Sequence, residues 1–255
     1  MKKRETWGKE FRKQLPLQIL VLSGIVYLLI FNFIPMFGII MGFKDYDIVM
    51  GVEGIFTSEW VGLKYFREFV NDYNFANLVK NTVGISLLKL IFTFPIPIIF
   101  AVMLNEMKCL RFKKLVQTCS YLPHFISWVI ISGISFQFLS SGGIINTLLM
   151  SLGLIGQPIG FLTDPDLYWG FAVLSDVWKE MGWWTIVFLA AIVGVSQDLY
   201  EAAQIDGAGR LQRIWHITLP CIKPTIVVVL ILALGNLFGG GLSGSNFEQS
   251  YLMGN

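Results

Sequence analysis

The chain has 255 residues and a net charge of only +2, with 55% hydrophobic and 14% charged residues. Soluble domains carry about 25% charged residues, so this composition argues against a soluble protein and favours a polytopic membrane protein. No basic patch indicates nucleic-acid binding, and the three cysteines have neither a disulfide framework nor a metal-site spacing.

Five long apolar stretches are candidate membrane-spanning helices, because about 20 apolar residues cross a bilayer. They lie at residues 17–42, 78–104, 115–139, 167–195 and 222–238. The first is too long for the apolar region of a signal peptide, so we expect it to remain in the mature protein. Residues 144–161 are also apolar, but glycine and proline interrupt them, and we interpret them as an outer loop with a short, broken helix. The sequence therefore predicts an all-α, polytopic membrane helical bundle with five spans.

Lysine and arginine are retained on the cytoplasmic side of a membrane, and their distribution predicts the orientation. The N-terminal tail, residues 1–14, carries six of them and the loop 105–114 carries four. The loop 196–221 carries two, whereas the loop 140–166 carries none. We therefore expect a cytoplasmic N-terminal tail, followed by a multi-pass transmembrane domain over residues 15–255 in the cell membrane.

Ionisable side chains within or beside the spans are candidates for a translocation path, since charges at membrane depth are costly and usually face a protein interior or water. They are Lys89, His124, Asp176, Lys179 and Glu180. Asp176 and Lys179 are three residues apart and are predicted to pair on one helix face. Two interpretations remain open: a largely self-neutralising cluster that fixes helix packing, or the lining of a path for a polar solute.

The segment between the fourth and fifth spans, residues 196–220, has the pattern of a helix, a glycine turn and a second helix. Asp198 is predicted to cap the first helix, with Glu201 completing an acidic variant of the capping box. The second helix is amphipathic over residues 210–217 and is predicted to stop before Pro220. We call residues 196–220 the elbow, and expect it to protrude into the cytoplasm.

The elbow carries a spaced motif. Glu201-Ala202-Ala203 is followed after three residues by Gly207, and after nine more by Ile217-Thr218-Leu219-Pro220. This pattern resembles the EAA motif of ATP-binding-cassette importer permeases. The chain also resembles the carbohydrate-uptake branch of these permeases, in particular the lipoprotein-associated polysaccharide-transport permeases. Three softer matches to that branch are residues 121–128, 161–165 and 246–249.

The resemblance implies that the elbow is a coupling helix that docks into a cleft on a nucleotide-binding subunit. Glu201 would make the polar contact, Ala202 and Ala203 would allow close approach, and Gly207 would supply the bend. The remaining positions assigned to this coupling segment are Asp206, Ile217, Leu219 and Pro220.

The resemblance further implies a permease subunit of an ATP-driven importer that translocates a sugar or oligosaccharide by alternating access. Its partners would be a second homologous permease, two ATP-binding-cassette ATPase subunits, an extracellular solute-binding lipoprotein and membrane lipid. ATP and Mg would be bound by the ATPase, and no cofactor by this chain. The exact substrate is not specified by the sequence.

No catalytic or metal site is predicted, and we expect no enzyme activity from this chain. It has no glycine- and lysine-containing phosphate loop, so ATP hydrolysis is assigned to a partner. Residues 239–244 match the bare G-x-G-x-x-G pattern, but they follow an apolar span rather than a strand, and we expect a loop there.

Two other classes of protein are compatible with the composition. An ion-coupled secondary transporter could use the intramembrane charges, although it would leave the elbow unexplained. A channel subunit or structural membrane partner would explain the composition alone.

Permeases of the family have a sixth span, whereas this sequence stops at Asn255 after the fifth, so we expect a chain truncated before a sixth span.

Overall fold

The computed structural model describes residues 7–253, and within them the chain is helical, with one isolated β-bridge between Lys44 and Trp60 and no strand. The α-helices are α1 (Trp7–Leu28), α2 (Ile34–Met36), α3 (Gly51–Thr57), α4 (Lys64–Asn71), α5 (Phe75–Thr93), α6 (Pro95–Glu106), α7 (Leu110–Tyr121), α8 (Trp128–Leu139), α9 (Ile144–Ser151), α10 (Pro165–Val193), α11 (Gln197–Ile205), α12 (Arg210–Arg213), α13 (Leu219–Gly235) and α14 (Asn246–Met253). Turns of π-helix occupy Leu29–Phe33 and Ile214–Thr218, and 3-10 turns occupy Phe37–Phe43, Ile48–Met50, Leu122–Phe125 and Leu237–Gly239.

The chain divides into two compact units at residues 76 and 77. In the first, α1 continues through the π-helical and 3-10 turns as an apolar rod, Gln14–Phe43, of 30 residues. Immediately after the rod in the sequence, Lys44 Nζ donates hydrogen bonds to the carbonyls of Ile55 and Phe56, at 2.7 and 3.1 Å. The rod leaves its apolar side chains exposed, as expected of a helix whose surroundings are lipid.

The second unit contains the remaining long helices. Its main apolar core joins α6, α10 and α13 through Ala101, Phe188, Ile192, Ile222 and Val229. These three helices are thereby fixed against each other close to the end of α10 that leads into the elbow.

Four helical stretches are long and apolar enough to cross a membrane, and α10 with α11 makes a fifth if this bent pair counts as one span. The four are Gln14–Phe43, Phe75–Glu106, Trp128–Ser151 and Arg210–Gly235. This confirms the predicted all-α polytopic bundle. The predicted basic tail, residues 1–14, falls partly outside the described residues, and from Trp7 onward it is already helical.

The predicted third span, residues 115–139, is not one continuous helix. It is interrupted by a 3-10 turn, Leu122–Phe125, and by extended backbone at Ile126 and Ser127. Pro123 explains the break, because proline lacks the N–H needed to continue the helical ladder. The long apolar helix here starts at Trp128, after Ser127 Oγ accepts the N–H of Ile130 at 3.4 Å and caps it.

Residues 144–161 begin as the short helix α9 and continue without regular helix up to α10. Asn146 fixes this loop, because its Nδ2 donates to the carbonyls of Ser140 and Ile159, both at 2.9 Å, and its Oδ1 accepts the Ile159 N–H at 2.9 Å. The predicted turn followed by a short, broken helix is therefore present, although α9 continues the line of α8 in the stretch Trp128–Ser151.

The sequence predicted that the second helix of the elbow, its second arm, stops before Pro220. This prediction is wrong. The arm runs from Arg210 to Gly235 as one helical stretch, with a π-helical turn at Ile214–Thr218. Pro220 comes shortly after this π-helical turn, and a local π-helical adjustment accommodates a residue that has no N–H to donate. The arm therefore leads directly into the fifth span, which ends at Gly235 rather than at residue 238.

Candidate functional site

The elbow begins with a bend of 68° between α10 and α11. Ser196, not Asp198, caps α11, because Ser196 Oγ accepts the backbone N–H of Asp198 at 3.3 Å. Asp198 lies in the first turn, and its carboxylate accepts the Ser196 hydroxyl at 3.2 Å. The cap stands two residues before the predicted one, so Glu201 does not occupy the reciprocal position of a capping box.

The predicted bend at Gly207 is present. Gly207 has φ of +80°, in the region that favours glycine. The N–H of Ala208 donates to the carbonyl of Ala203 at 2.8 Å and closes the end of α11. Gly209 then caps α12, and its N–H donates to Gln212 Oε1 at 2.7 Å.

Burial divides the predicted coupling residues into two groups. Glu201, Ala202, Asp206, Gly207 and Pro220 are exposed, whereas Ala203, Ile217 and Leu219 are half-buried. Large apolar side chains are exposed beside the first group: Ile205, Leu211 and Trp215 are 87%, 72% and 67% exposed. Glu201 and Asp206 are therefore exposed among apolar side chains.

A hydrogen bond across the elbow joins its two arms. Tyr200 Oη and Thr218 Oγ1 are 2.9 Å apart, and Thr218 is buried. A pocket of about 360 Å³ lies alongside, lined in part by Glu106 at the end of α6, Tyr200 and Arg213. The sequence analysis missed this pair, because nothing in the sequence links two positions 18 residues apart.

The predicted pair of Asp176 with Lys179 does not form. Asp176 Oδ1 instead lies 3.2 Å from Lys89 Nζ on α5, and both side chains are almost fully buried. Thr93 Oγ1 donates to Asp176 Oδ2 at 3.0 Å. Lys89 is a buried cation and needs a counterion from another helix, whereas Lys179 has partners of its own.

Those partners form a second polar group. Lys179 Nζ donates to the backbone carbonyl of His124 at 2.6 Å and lies 3.7 Å from Glu180 Oε1. Glu180 Oε2 lies 2.9 Å from His124 Nδ1. The His124 ring stacks on Trp183, with ring centroids 4.4 Å apart. Lysine, glutamate and histidine thus hold one another at the broken helix after α7.

This group borders an open cleft of about 440 Å³. Its lining side chains include His124, Trp128, Lys179, Glu180, Ser245 and Glu248. Three of the five candidate path residues therefore share one cleft. Lys89 and Asp176 do not line it, and face each other between α5 and α10.

Close packing of the backbones of α10 and α7 positions the residues of the cleft. A Cβ added at Gly182 on α10 would lie 1.9 Å from the backbone oxygen of Ser120 on α7. Only glycine lets the two helices approach this far, which places Glu180 beside His124. The sequence analysis did not single out Gly182, since one glycine within an apolar helix gives no sign of what it touches.

The short helix α14 closes another side of the cleft. Gln249 Nε2 donates to the Ala172 carbonyl at 2.7 Å and to Ser175 Oγ at 2.8 Å. Asn246 Nδ2 donates to Ser86 Oγ at 2.7 Å. The predicted loop at residues 239–244 precedes α14, with positive φ at three of its glycines.

Comparison with known proteins agrees with these features. Residues 93–250 match the family described as binding-protein-dependent transport system inner membrane component. The chain is 44% identical over 251 residues to protein LplB of Bacillus subtilis (strain 168), covering 98% of this chain and 76% of that protein. It is 45% identical over 238 residues to the polygalacturonan/rhamnogalacturonan transport system permease protein YteP of the same organism, covering 93% of this chain and 71% of YteP.

Among solved structures, a bacterial ATP-binding-cassette transporter involved in the import of the acidic polysaccharide alginate matches with a TM-score of 0.84 and 38% identity. The match covers 98% of this chain and 81% of that chain. None of these relatives supports the ion-coupled alternative. The chain belongs to the family of binding-protein-dependent transport system inner membrane components, the multi-pass permeases of ATP-binding-cassette importers.

Proposed function

We propose that this permease moves a sugar or oligosaccharide across the cell membrane, driven by an ATPase that docks on the elbow. The observation that carries the proposal is the course of α10. This helix holds Lys179 and Glu180 at the cleft and leads into the elbow at its far end. About 20 Å of continuous helix separate Glu180 from Val193, at 1.5 Å per residue.

A rigid helix of this kind transmits a displacement of the elbow to the cleft. The core of α6, α10 and α13 packs near the elbow end of α10, so the three helices would move together. Lys179, Glu180 and His124 would then change their position relative to the solute. Lys89 and Asp176 hold α5 against α10 during this motion.

The exposed residues of the elbow fit a docking role. Glu201 and Asp206 offer charges to a partner, and Ala202 leaves room for its surface. Ile205 and Trp215 provide apolar area, which is costly to leave in water. ATP and Mg are assigned to the partner ATPase, of which two copies would serve this chain and a second homologous permease.

The proposed class of solute and the proposed way it is delivered are inferred from the names of the relatives. YteP is named for polygalacturonan and rhamnogalacturonan, and the solved importer for alginate, all of them polysaccharides. The family name itself implies a binding protein, and an extracellular lipoprotein would supply the solute. In this arrangement the N-terminus and the elbow face the cytoplasm, in agreement with the distribution of basic residues.

Substitution of Glu201 tests the coupling role. Glu201→Lys places a positive charge on the exposed face of α11 without touching the core, so expression and membrane insertion should remain normal. We expect loss of ATPase co-purification and at least a tenfold fall in ATP-driven oligosaccharide uptake, the size of effect expected for a reversed charge at an interface. Glu53→Lys, at an exposed glutamate outside the elbow, is the matched control. Undiminished uptake by Glu201→Lys at normal expression would refute the role of this residue.

A further inference from the structure

We infer that the cleft prefers uncharged, hydroxyl-rich solutes over acidic ones, and that Glu248 sets this preference. The inference rests on the proposed function, because it concerns the solute that the permease carries. It narrows the solute from oligosaccharides in general to neutral ones.

The cation of the cleft is already engaged. Among the described residues that line it, Lys179 is the one lysine or arginine. Its Nζ donates to the His124 carbonyl at 2.6 Å, lies 3.7 Å from Glu180 and stands 5.7 Å from the centroid of the Trp128 ring. A carboxylate on a solute would have to displace these partners and leave Glu180 with less compensation.

The hydrogen-bond acceptors Glu248 and Ser245 in the cleft, unlike Lys179, have no side-chain partners among the described residues. Glu248 is exposed in the first turn of α14 and takes part in none of the ion pairs formed by described residues. Ser245 is 6% exposed, and its hydroxyl has no hydrogen-bond partner although it is buried. Buried polar groups in proteins are normally paired, so the Ser245 hydroxyl marks a place where a bound solute completes the hydrogen bonding.

These groups favour hydroxyls as ligands. An ionised carboxylate accepts hydrogen bonds and donates none, and a serine hydroxyl both donates and accepts. The hydroxyls of a neutral sugar satisfy Glu248 and Ser245 together. A uronate in the same place would set its negative charge beside Glu248, a like-charge contact that disfavours binding. Phe125, 72% exposed at the edge of the cleft, adds an aromatic face for the apolar side of a sugar ring.

The preference differs from what the relatives' names suggest, since alginate and polygalacturonan are acidic polymers. The described lining residues of this cleft offer no free cation to compensate the carboxylates of such a polymer.

The test uses the purified complete transporter without its lipoprotein, so that the selectivity of the lipoprotein does not enter. Binding of a neutral galacto-oligosaccharide and of an oligogalacturonate of equal length is measured by saturation-transfer difference NMR. We expect the neutral probe to bind about tenfold more tightly, as for a single like-charge contact in a partly desolvated site. Glu248→Gln keeps the shape and removes the charge, and should reduce this ratio at least threefold.

Asp166→Asn is the matched control, since Asp166 is an exposed carboxylate on α10 outside the cleft, and it should leave the ratio unchanged. Equal or tighter binding of the oligogalacturonate to the unaltered transporter would overturn the inferred preference and leave the proposed function standing. A neutral preference that Glu248→Gln does not alter would overturn the role of Glu248. Binding of neither probe, together with no ATP-driven uptake of any oligosaccharide, would contradict the proposed function instead.

Discussion

Lys89 is 1% exposed and Asp176 is fully buried, and their 3.2 Å contact joins two helices at membrane depth. Neither Lys89 Nζ nor Asp176 Oδ1 makes a hydrogen bond of good geometry, so their mutual attraction compensates the charge of Lys89, and Asp176 also receives the hydrogen bond from Thr93. The sequence identified both residues as unusual, because a charge within an apolar span is visible in the sequence alone. It could not tell which charges pair, since Lys89 and Asp176 meet only through the packing of α5 on α10.

Removing one partner should therefore be worse than removing both. Lys89→Met leaves Asp176 as an uncompensated buried charge, and should destabilise the fold by about 3–5 kcal/mol. The double variant Lys89→Met with Asp176→Leu should recover most of that loss, because an apolar pair of similar volume fills the same space. Thermal unfolding of the purified protein in detergent measures both effects.

Lys80→Met provides the control, since Lys80 lies on the same helix but is exposed. A single Lys89→Met variant as stable as Lys80→Met would mean that the buried pair contributes nothing to the fold.

At the scale of helices, the sequence predicted which segments are helical better than where they end. Proline explains both main errors. Pro123 breaks the predicted third span, whereas Pro220 was expected to stop a helix that in fact continues through it. A proline inside a helix is disruptive unless the local hydrogen bonding adjusts to its missing N–H. The sequence does not reveal whether such an adjustment forms, and here a π-helical turn at Ile214–Thr218 precedes Pro220.

Packing between helices predicts a strong effect at Gly182. In Gly182→Ala the new Cβ would lie 1.9 Å from the Ser120 backbone oxygen, and a backbone atom cannot move aside as a side chain does. We expect α10 and α7 to be forced apart, with a loss of about 2 kcal/mol or more, as for an overpacked core. The same measurement of thermal unfolding in detergent detects it.

Gly170→Ala is the matched control on the same helix, because nothing lies within 4 Å of the Cβ position there. Alanine favours a helix over glycine by about 0.5–1 kcal/mol, so this variant should be neutral or slightly more stable. If the two alanine variants behaved alike, close approach of α10 and α7 at Gly182 would be ruled out.

For the whole molecule, composition and the placement of charge were sufficient to predict an all-α membrane bundle, and the spacing from Glu201 to Pro220 was sufficient to suggest the family. The cleft was not predictable in the same way. His124, Glu180 and Glu248 come from three separate parts of the chain, and only the fold brings them to one opening. Local patterns are readable in a sequence, whereas contacts between distant residues depend on packing.

The orientation of the bundle is the feature of the whole molecule that most needs a direct measurement. Cys109 is exposed in the connection between α6 and α7, and the proposed orientation places it in the cytoplasm. In the variant Cys119→Ser with Cys221→Ser, Cys109 is the remaining cysteine. A membrane-impermeant maleimide should therefore label it in inverted membrane vesicles and not in intact cells.

A cysteine on the opposite side of the membrane provides the complementary measurement. Asp166→Cys in a background without other cysteines lies in the first turn of α10, in the part of the chain expected outside. It should react in intact cells and be protected in inverted vesicles. Because the basic residues predict both positions together, labelling of Cys109 from outside would reverse the whole bundle. The elbow would then lie on the outer side of the membrane, where ATP is not available to the partner ATPase.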